Sequence, residues 1–153
     1  TKTDLAALNA VVVDMVALIN QSPLGGRLVR EAKISLDPAV LRILAGINRF
    51  GPIGIVDLAE RAGRDHTTVS RQVAKLEEQG LVDRRPCATD RRVNEIILTA
   101  KGRRMSEALL AAQQKVVEPI IDNWSEKDLA DLTRLMRKLV ADLSALRDLP
   151  ARR

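Results

Sequence analysis

The chain has 153 residues, 46% of them hydrophobic and 29% charged, which is enough apolar material for one ordinary domain and too much for a disordered chain. With one cysteine, Cys87, and one histidine, His66, an internal disulfide and an ordinary Cys/His zinc cage are both excluded, so no metal site is expected. Net charge is +5, no apolar run approaches the ~20 residues that span a bilayer, and no signal-peptide pattern opens the chain. A cytoplasmic protein with no membrane partner is expected.

Leu5, Leu8, Val12, Met15 and Ile19 recur at helical spacing, with Val11 and Leu18 broadening the stripe. Pro23, Gly25 and Gly26 predict a kink or break between Ser22 and Gly26, before a short helical piece around Leu28–Ala32. Asp37 stands as an N-cap with Pro38 at the first helical position, and Val40, Leu41, Ile43, Leu44 and Ile47 follow until Gly51 and Pro52.

Two short helices come next. One runs over Ile55–Ala62 and ends at Gly63, a left-handed terminator. Asp65 then caps a helix from His66 to Gln79 that Gly80 stops, with Val69, Val73 and Leu76 facing inward. The opposite side is polar and basic: Thr67, Thr68, Arg71 and Lys75. Short helix, glycine turn and polar-faced helix make a helix-turn-helix.

The period then changes. Leu81–Pro86 and Val93–Thr99 read as strands around a polar hairpin containing Cys87, Thr89, Asp90, Arg91 and Arg92, which together form a wing. From Ala100 helical spacing returns through Met105, Leu109, Ala112, Val116, Ile120 and Trp124, with a bend expected at Pro119. Ser125 and Asp128 form a capping box for a last helix carrying Leu129, Leu132, Leu135, Met136, Leu139, Val140, Leu143 and Leu146.

The expected fold is mainly α with a small β wing. It comprises an N-terminal helical arm at 1–34, a winged helix-turn-helix domain at 35–104, and C-terminal helices at 105–153. The terminal helices are more apolar than one winged helix requires for its own core. Either they complete a monomer core, or they pair two chains through residues such as Leu5, Leu8, Val12, Leu132, Leu135, Leu139 and Leu143. A two-fold dimer would read half-sites about one helical turn, roughly 34–36 Å, apart.

The distribution of charge sharpens this reading. Residues 61–104 contain 11 basic and 6 acidic side chains, and the remainder contains 14 of each. All the excess lies in the helix-turn-helix and wing, as suits a surface meeting a polyanion; a solvated charged face is the alternative.

Between Val56 and Gly102, the runs DLAERAGRDHTTVSRQVAKLEEQGLVDRRP and DRRVNEIILTAKG resemble the MarR family (multiple antibiotic resistance regulators) of bacterial transcription factors. The resemblance lies in the ordered combination of a D-L-A helix, S-R-x-V-x-x-L-E-x-x-G-L-V, a D-x-R wing tip and L-T-x-x-G leading into a long helix. It implies a triangular homodimer on palindromic double-stranded DNA, usually a repressor, often acting near its own gene and often released by a small aromatic or anionic ligand.

By the same resemblance, Arg92 is the wing-tip arginine that enters a minor groove, Asp90 orients it, and Arg91 contacts phosphate or substitutes for Arg92. Thr67, Thr68, Ser70, Arg71 and Lys75 match the polar recognition positions. Arg71 suits a guanine edge or a phosphate clamp, and Lys75 suits a phosphate. His66 is either a phosphate contact or an exposed residue at the helix start, and Gln72 is expected to point sideways.

Ligand pockets of relatives are often lined by aromatics, for which this chain offers only Phe50 and Trp124; each is a pocket or a core residue. No cofactor is required. Cys87 lies at the wing and away from the first helix, where thiol-sensing relatives carry their cysteine, so redox sensing is not carried over.

The rival function is a winged-helix protein-interaction module without specific DNA binding. Catalysis is not expected: there is no Gly-rich cofactor loop, and one histidine cannot organise a nucleophile, a base and an orienting acid.

Overall fold

A computed structural model describes residues 2–20, 22–31, 35–90 and 92–147 of the chain. In order these form α1 (Lys2–Asn20), α2 (Ser22–Glu31), α3 (Pro38–Phe50), β1 (Ile53–Gly54), α4 (Ile55–Ala62), α5 (His66–Glu78), β2 (Val82–Pro86), β3 (Asn94–Leu98), α6 (Ala100–Ile121) and α7 (Glu126–Arg147). Internal contacts gather them into two compact units, Thr1–Gln114 and Lys115–Arg153, where length alone suggests one.

The first unit is built around α3. The Asp37 carboxylate accepts the Ala39 N–H at 2.7 Å, and Pro38 occupies the first turn, where its missing N–H costs nothing. Val40, Leu41, Ile43, Leu44 and Ile47 are buried along one side of the helix. They meet Leu58 and Ala59 of α4, Val69, Val73 and Leu76 of α5, and Ile53, Val82 and Ile96 of the sheet. A buried Leu44 or Leu76 cut to alanine would cost about 2–5 kcal/mol, because the cavity cannot fully collapse.

The sheet has three antiparallel strands in the order β1-β3-β2, one more than the sequence suggests. Ile53 pairs with Ile96 and Gly54 with Glu95; a two-residue strand is too short to display an alternating pattern. Between β2 and β3 the register pairs Val82 with Leu98 and Arg85 with Glu95. Leu81, Val93 and Thr99, expected at the strand ends, lie just outside them.

Two helical expectations need correction. The break foreseen over Ser22–Gly26 does not interrupt a helix there, because α2 starts at Ser22 and runs through Pro23 and both glycines. Pro23 falls in the first turn, where proline is tolerated. At the other end α6 continues through Pro119 but stops at Ile121, so Trp124, read as part of that stripe, lies in the following turn, its N–H bonded to the Ile121 carbonyl at 2.9 Å.

The second unit is dominated by α7. At its entry the Asp128 N–H donates to Ser125 Oγ at 3.1 Å, the N-cap half of the expected capping box, while the Asp128 carboxylate accepts from the Ser125 hydroxyl.

Candidate nucleic-acid interface

The helix-turn-helix is set by two local devices. Gly63 ends α4 in the left-handed region, at φ 59°, and there the N–H of Gly63 reaches Glu60 and that of Arg64 reaches Ala59, each at 3.1 Å. Asp65 then caps α5, its Oδ1 accepting the Thr68 N–H at 2.8 Å. Hydrogen bonds from Thr68, side chain and then backbone, hold the Asp65 carboxyl below the usual carboxylate range, with the Arg71 charge adding to the effect.

Val69, Val73 and Leu76 pin one side of α5 into the core with no exposure at all, so the helical period turns the other side outward. His66, Thr67, Arg71 and Lys75 are exposed, and Thr68 and Ser70 are half-buried. Arg71 and Lys75, four residues apart, share one face. Gln72 has its amide oxygen buried and without a partner, which fits a side chain directed away from the outer face.

The wing turn is closed by backbone bonds from Cys87 N–H to the Val93 carbonyl at 2.8 Å and from Val93 N–H to the Asp90 carbonyl at 3.0 Å. Asp90 Oδ1 accepts the Arg92 N–H at 3.0 Å. The carboxylate thus fixes the backbone that carries Arg92, whose side chain is exposed. Arg91 lies outside the described residues. Cys87 is half-buried, its sulfur 3.2 Å from the Thr89 hydroxyl.

Behind the tip, Arg84 on β2 pairs with Glu77 on α5 at 3.1 Å, and Arg85 pairs with its cross-strand neighbour Glu95 at 3.6 Å. These partly exposed pairs contribute little energy, but they occupy two of the basic side chains in the charged window. Arg71, Lys75 and Arg92 remain directed to solvent.

The sequence reading missed the attachments of α5 to α6. Thr99 Oγ1 donates to the Gly80 carbonyl at 2.7 Å and accepts the Gly102 N–H at 3.0 Å; Lys101 Nζ donates to the Gln79 carbonyl at 2.7 Å. Their one signal in the sequence is the L-T-x-x-G run, which carries Thr99 and Gly102.

Phe50 and Trp124, each expected in a ligand pocket or in the core, are not core residues. They are 42% and 45% exposed, the first in Thr1–Gln114 and the second in Lys115–Arg153. Two guanidinium groups lie near the Phe50 ring, Arg61 at 4.4 Å and Arg49 at 5.9 Å from its centroid. A cavity of about 320 Å³ lined by Ile47, Asn48, Gly51, Pro52, Arg85, Ile97, Leu98 and Arg103 includes neither aromatic. Of the residues expected to pair two chains, Leu5, Leu8, Leu132, Leu135 and Leu143 are exposed, while Val12 and Leu139 are half-buried.

Comparison with known proteins matches this architecture. The family model described as MarR family covers residues 34–93, from the approach to α3 to the end of the wing turn. A MarR family protein from Bacillus stearothermophilus is 20% identical with a TM-score of 0.76, over 94% of this chain and 98% of that one. The transcriptional regulator BldR from Sulfolobus solfataricus is 22% identical with a TM-score of 0.71, over 92% and 96%. A MarR transcriptional regulator from Methanosarcina mazei Go1 is 16% identical with a TM-score of 0.74, over 90% and 99%. At these identities the solved structures establish the fold, and the family match falls on the helix-turn-helix and wing that organise the exposed basic face. With both in agreement, residues 34–93 are similar to the MarR family and the chain has the winged-helix fold of these solved structures.

Proposed function

We propose that this chain is a homodimeric repressor that reads a palindromic duplex through α5 and the wing and is released by a small ligand. The observation that carries the reading is the outer face of α5, where Thr67, Arg71 and Lys75 are exposed opposite a fully buried stripe, in the same compact unit as a hairpin whose tip residue Arg92 is held by Asp90. The N-terminal part of such a helix suits the major groove, and a guanidinium on a thin hairpin suits the negative potential of a narrow minor groove.

Pairing of chains is supported by apolar surface that each unit leaves open. Leu5 is 68% exposed on α1 and Leu135 is 52% exposed on α7, and burying each such side chain against a second copy would contribute roughly 1.5–3 kcal/mol. Ligand release is supported by the 320 Å³ cavity beside the wing strands, which falls within the usual range for small-molecule sites, roughly 300–1,000 Å³.

The test is selection of a duplex from a random pool, followed by fluorescence anisotropy of that duplex and a shuffled control at several salt concentrations. Tight, salt-sensitive binding that prefers the selected duplex is expected. Equal, weak binding to both would reject sequence reading and favour a protein-docking role for the same winged helix.

A further inference from the structure

The base-reading face proposed above is useful only if α5 is held at a fixed angle to the rest of its unit. At its first turn the helix is fixed by the Asp65 cap. Its C-terminal end is fastened to the start of α6, residues distant in sequence, by three bonds. Lys101 Nζ donates to the Gln79 carbonyl at 2.7 Å, Thr99 Oγ1 donates to the Gly80 carbonyl at 2.7 Å, and Thr99 N–H donates to the Leu81 carbonyl at 3.1 Å. Gly102 lies against the Leu81 carbonyl so closely that a Cβ there would overlap it, so α6 approaches this turn without an intervening side chain.

Among these bonds the one from Lys101 is distinctive. Gln79 is the C-cap of α5, and the last carbonyls of a helix have no partner within it. An ammonium group there satisfies a carbonyl and complements the negative end of the helix dipole. The charge of Lys101 is thereby directed at the back end of α5, whereas Arg71 and Lys75 carry theirs on its outer face.

We infer that Lys101 is a positioning residue for sequence reading: by bonding the Gln79 carbonyl it fixes the C-terminal end of α5 on α6 and so sets the angle at which Thr67, Ser70 and Arg71 meet the bases. This rests on the duplex-reading function proposed above. Without the ammonium the Gln79 carbonyl is hydrated and α5 pivots on Thr99, which blurs base-edge geometry while leaving phosphate attraction in place.

The experiment compares the full-length protein with Lys101→Met and Lys101→Arg on the selected and shuffled duplexes at several salt concentrations, with thermal melting of each variant. Lys101→Met is expected to bind the selected duplex about five- to tenfold more weakly, with unchanged affinity for the shuffled duplex and an unchanged salt slope. Lys101→Arg, which keeps a cationic donor, is expected to restore most of the preference. Equal weakening on both duplexes with a salt slope smaller by about one would make Lys101 a phosphate contact and overturn the inference. An unchanged preference would overturn it as well, as would a lowered melting point with parallel loss on both duplexes. If the unsubstituted protein prefers no duplex, the duplex-reading function fails first, and that failure is visible before any variant is compared.

Discussion

Gly102 of α6 packs directly on the carbonyl of Leu81, leaving no room for even a methyl group. In an open helix alanine is favoured over glycine by about 1 kcal/mol, but here the neighbour is backbone and cannot rotate away. Overpacking of this kind costs about 1–3 kcal/mol or more. Gly102→Ala is therefore expected to lower the unfolding free energy by up to about 2 kcal/mol net, read from urea denaturation. A variant at least as stable as the parent would mean that the turn before α6 relaxes freely.

Asp65 supplies a pH-dependent contribution. Its folded pKa is depressed, first by the hydrogen bonds from Thr68, so the folded state favours the charged form. The cap's contribution is complete above the ordinary carboxylate pKa and is lost as pH falls through the lower, folded value. The difference in urea midpoint between the parent and Asp65→Ala should shrink towards zero on acidification. Asp65→Asn, which keeps a capping oxygen without a titrating charge, should show no such trend.

Arg71 is exposed on the outer face of α5, one turn ahead of Lys75. If it reads a base edge, Arg71→Ala should cost about 1–3 kcal/mol of binding, concentrated at one base pair in each half-site. Binding to duplexes altered one pair at a time checks this. A uniform loss across unrelated sequences would reassign Arg71 to phosphate.

Arg92 and Asp90 are coupled through the wing backbone, because the Asp90 carboxylate accepts the Arg92 N–H. Arg92→Ala should weaken binding to an A·T-flanked duplex and reduce the salt slope by about one. Asp90→Ala should weaken binding with the salt slope unchanged, since it loosens the tip without removing the cation. Identical behaviour of the two variants in salt titrations would count against this division of roles.

Leu132 and Leu135 are exposed on α7. A lysine at either position places charge on the face proposed to meet a second copy. Sedimentation should give twice the 16.8 kDa chain mass for the parent and a shift towards the monomer for Leu135→Lys. A monomeric parent at micromolar concentration would defeat the dimer.

Several elements were legible because their causes are local. Asp37 with Pro38, Gly63 and Asp65 each act within five residues and form as their spacing implies, and Ser125 caps the Asp128 N–H three residues on. The stripe Val69, Val73 and Leu76 likewise names the buried side of α5, and thereby the exposed one. Trp124 was misplaced because apolar spacing continues past Ile121 while the helix does not. Phe50 lies outside the core, its ring against Arg61 of the next helix, a contact that no local spacing signals.

The sequence by itself determined the order of elements, the polar face of α5 and the concentration of positive charge, since period, capping chemistry and charge are written residue by residue. Tertiary structure alone decided that Ile53 adds a third strand against Ile96, that Arg84 and Arg85 are paired with Glu77 and Glu95, and that Lys101 reaches back to Gln79. These contacts join residues that no local period relates, and they form only once the core has brought the separate segments into register.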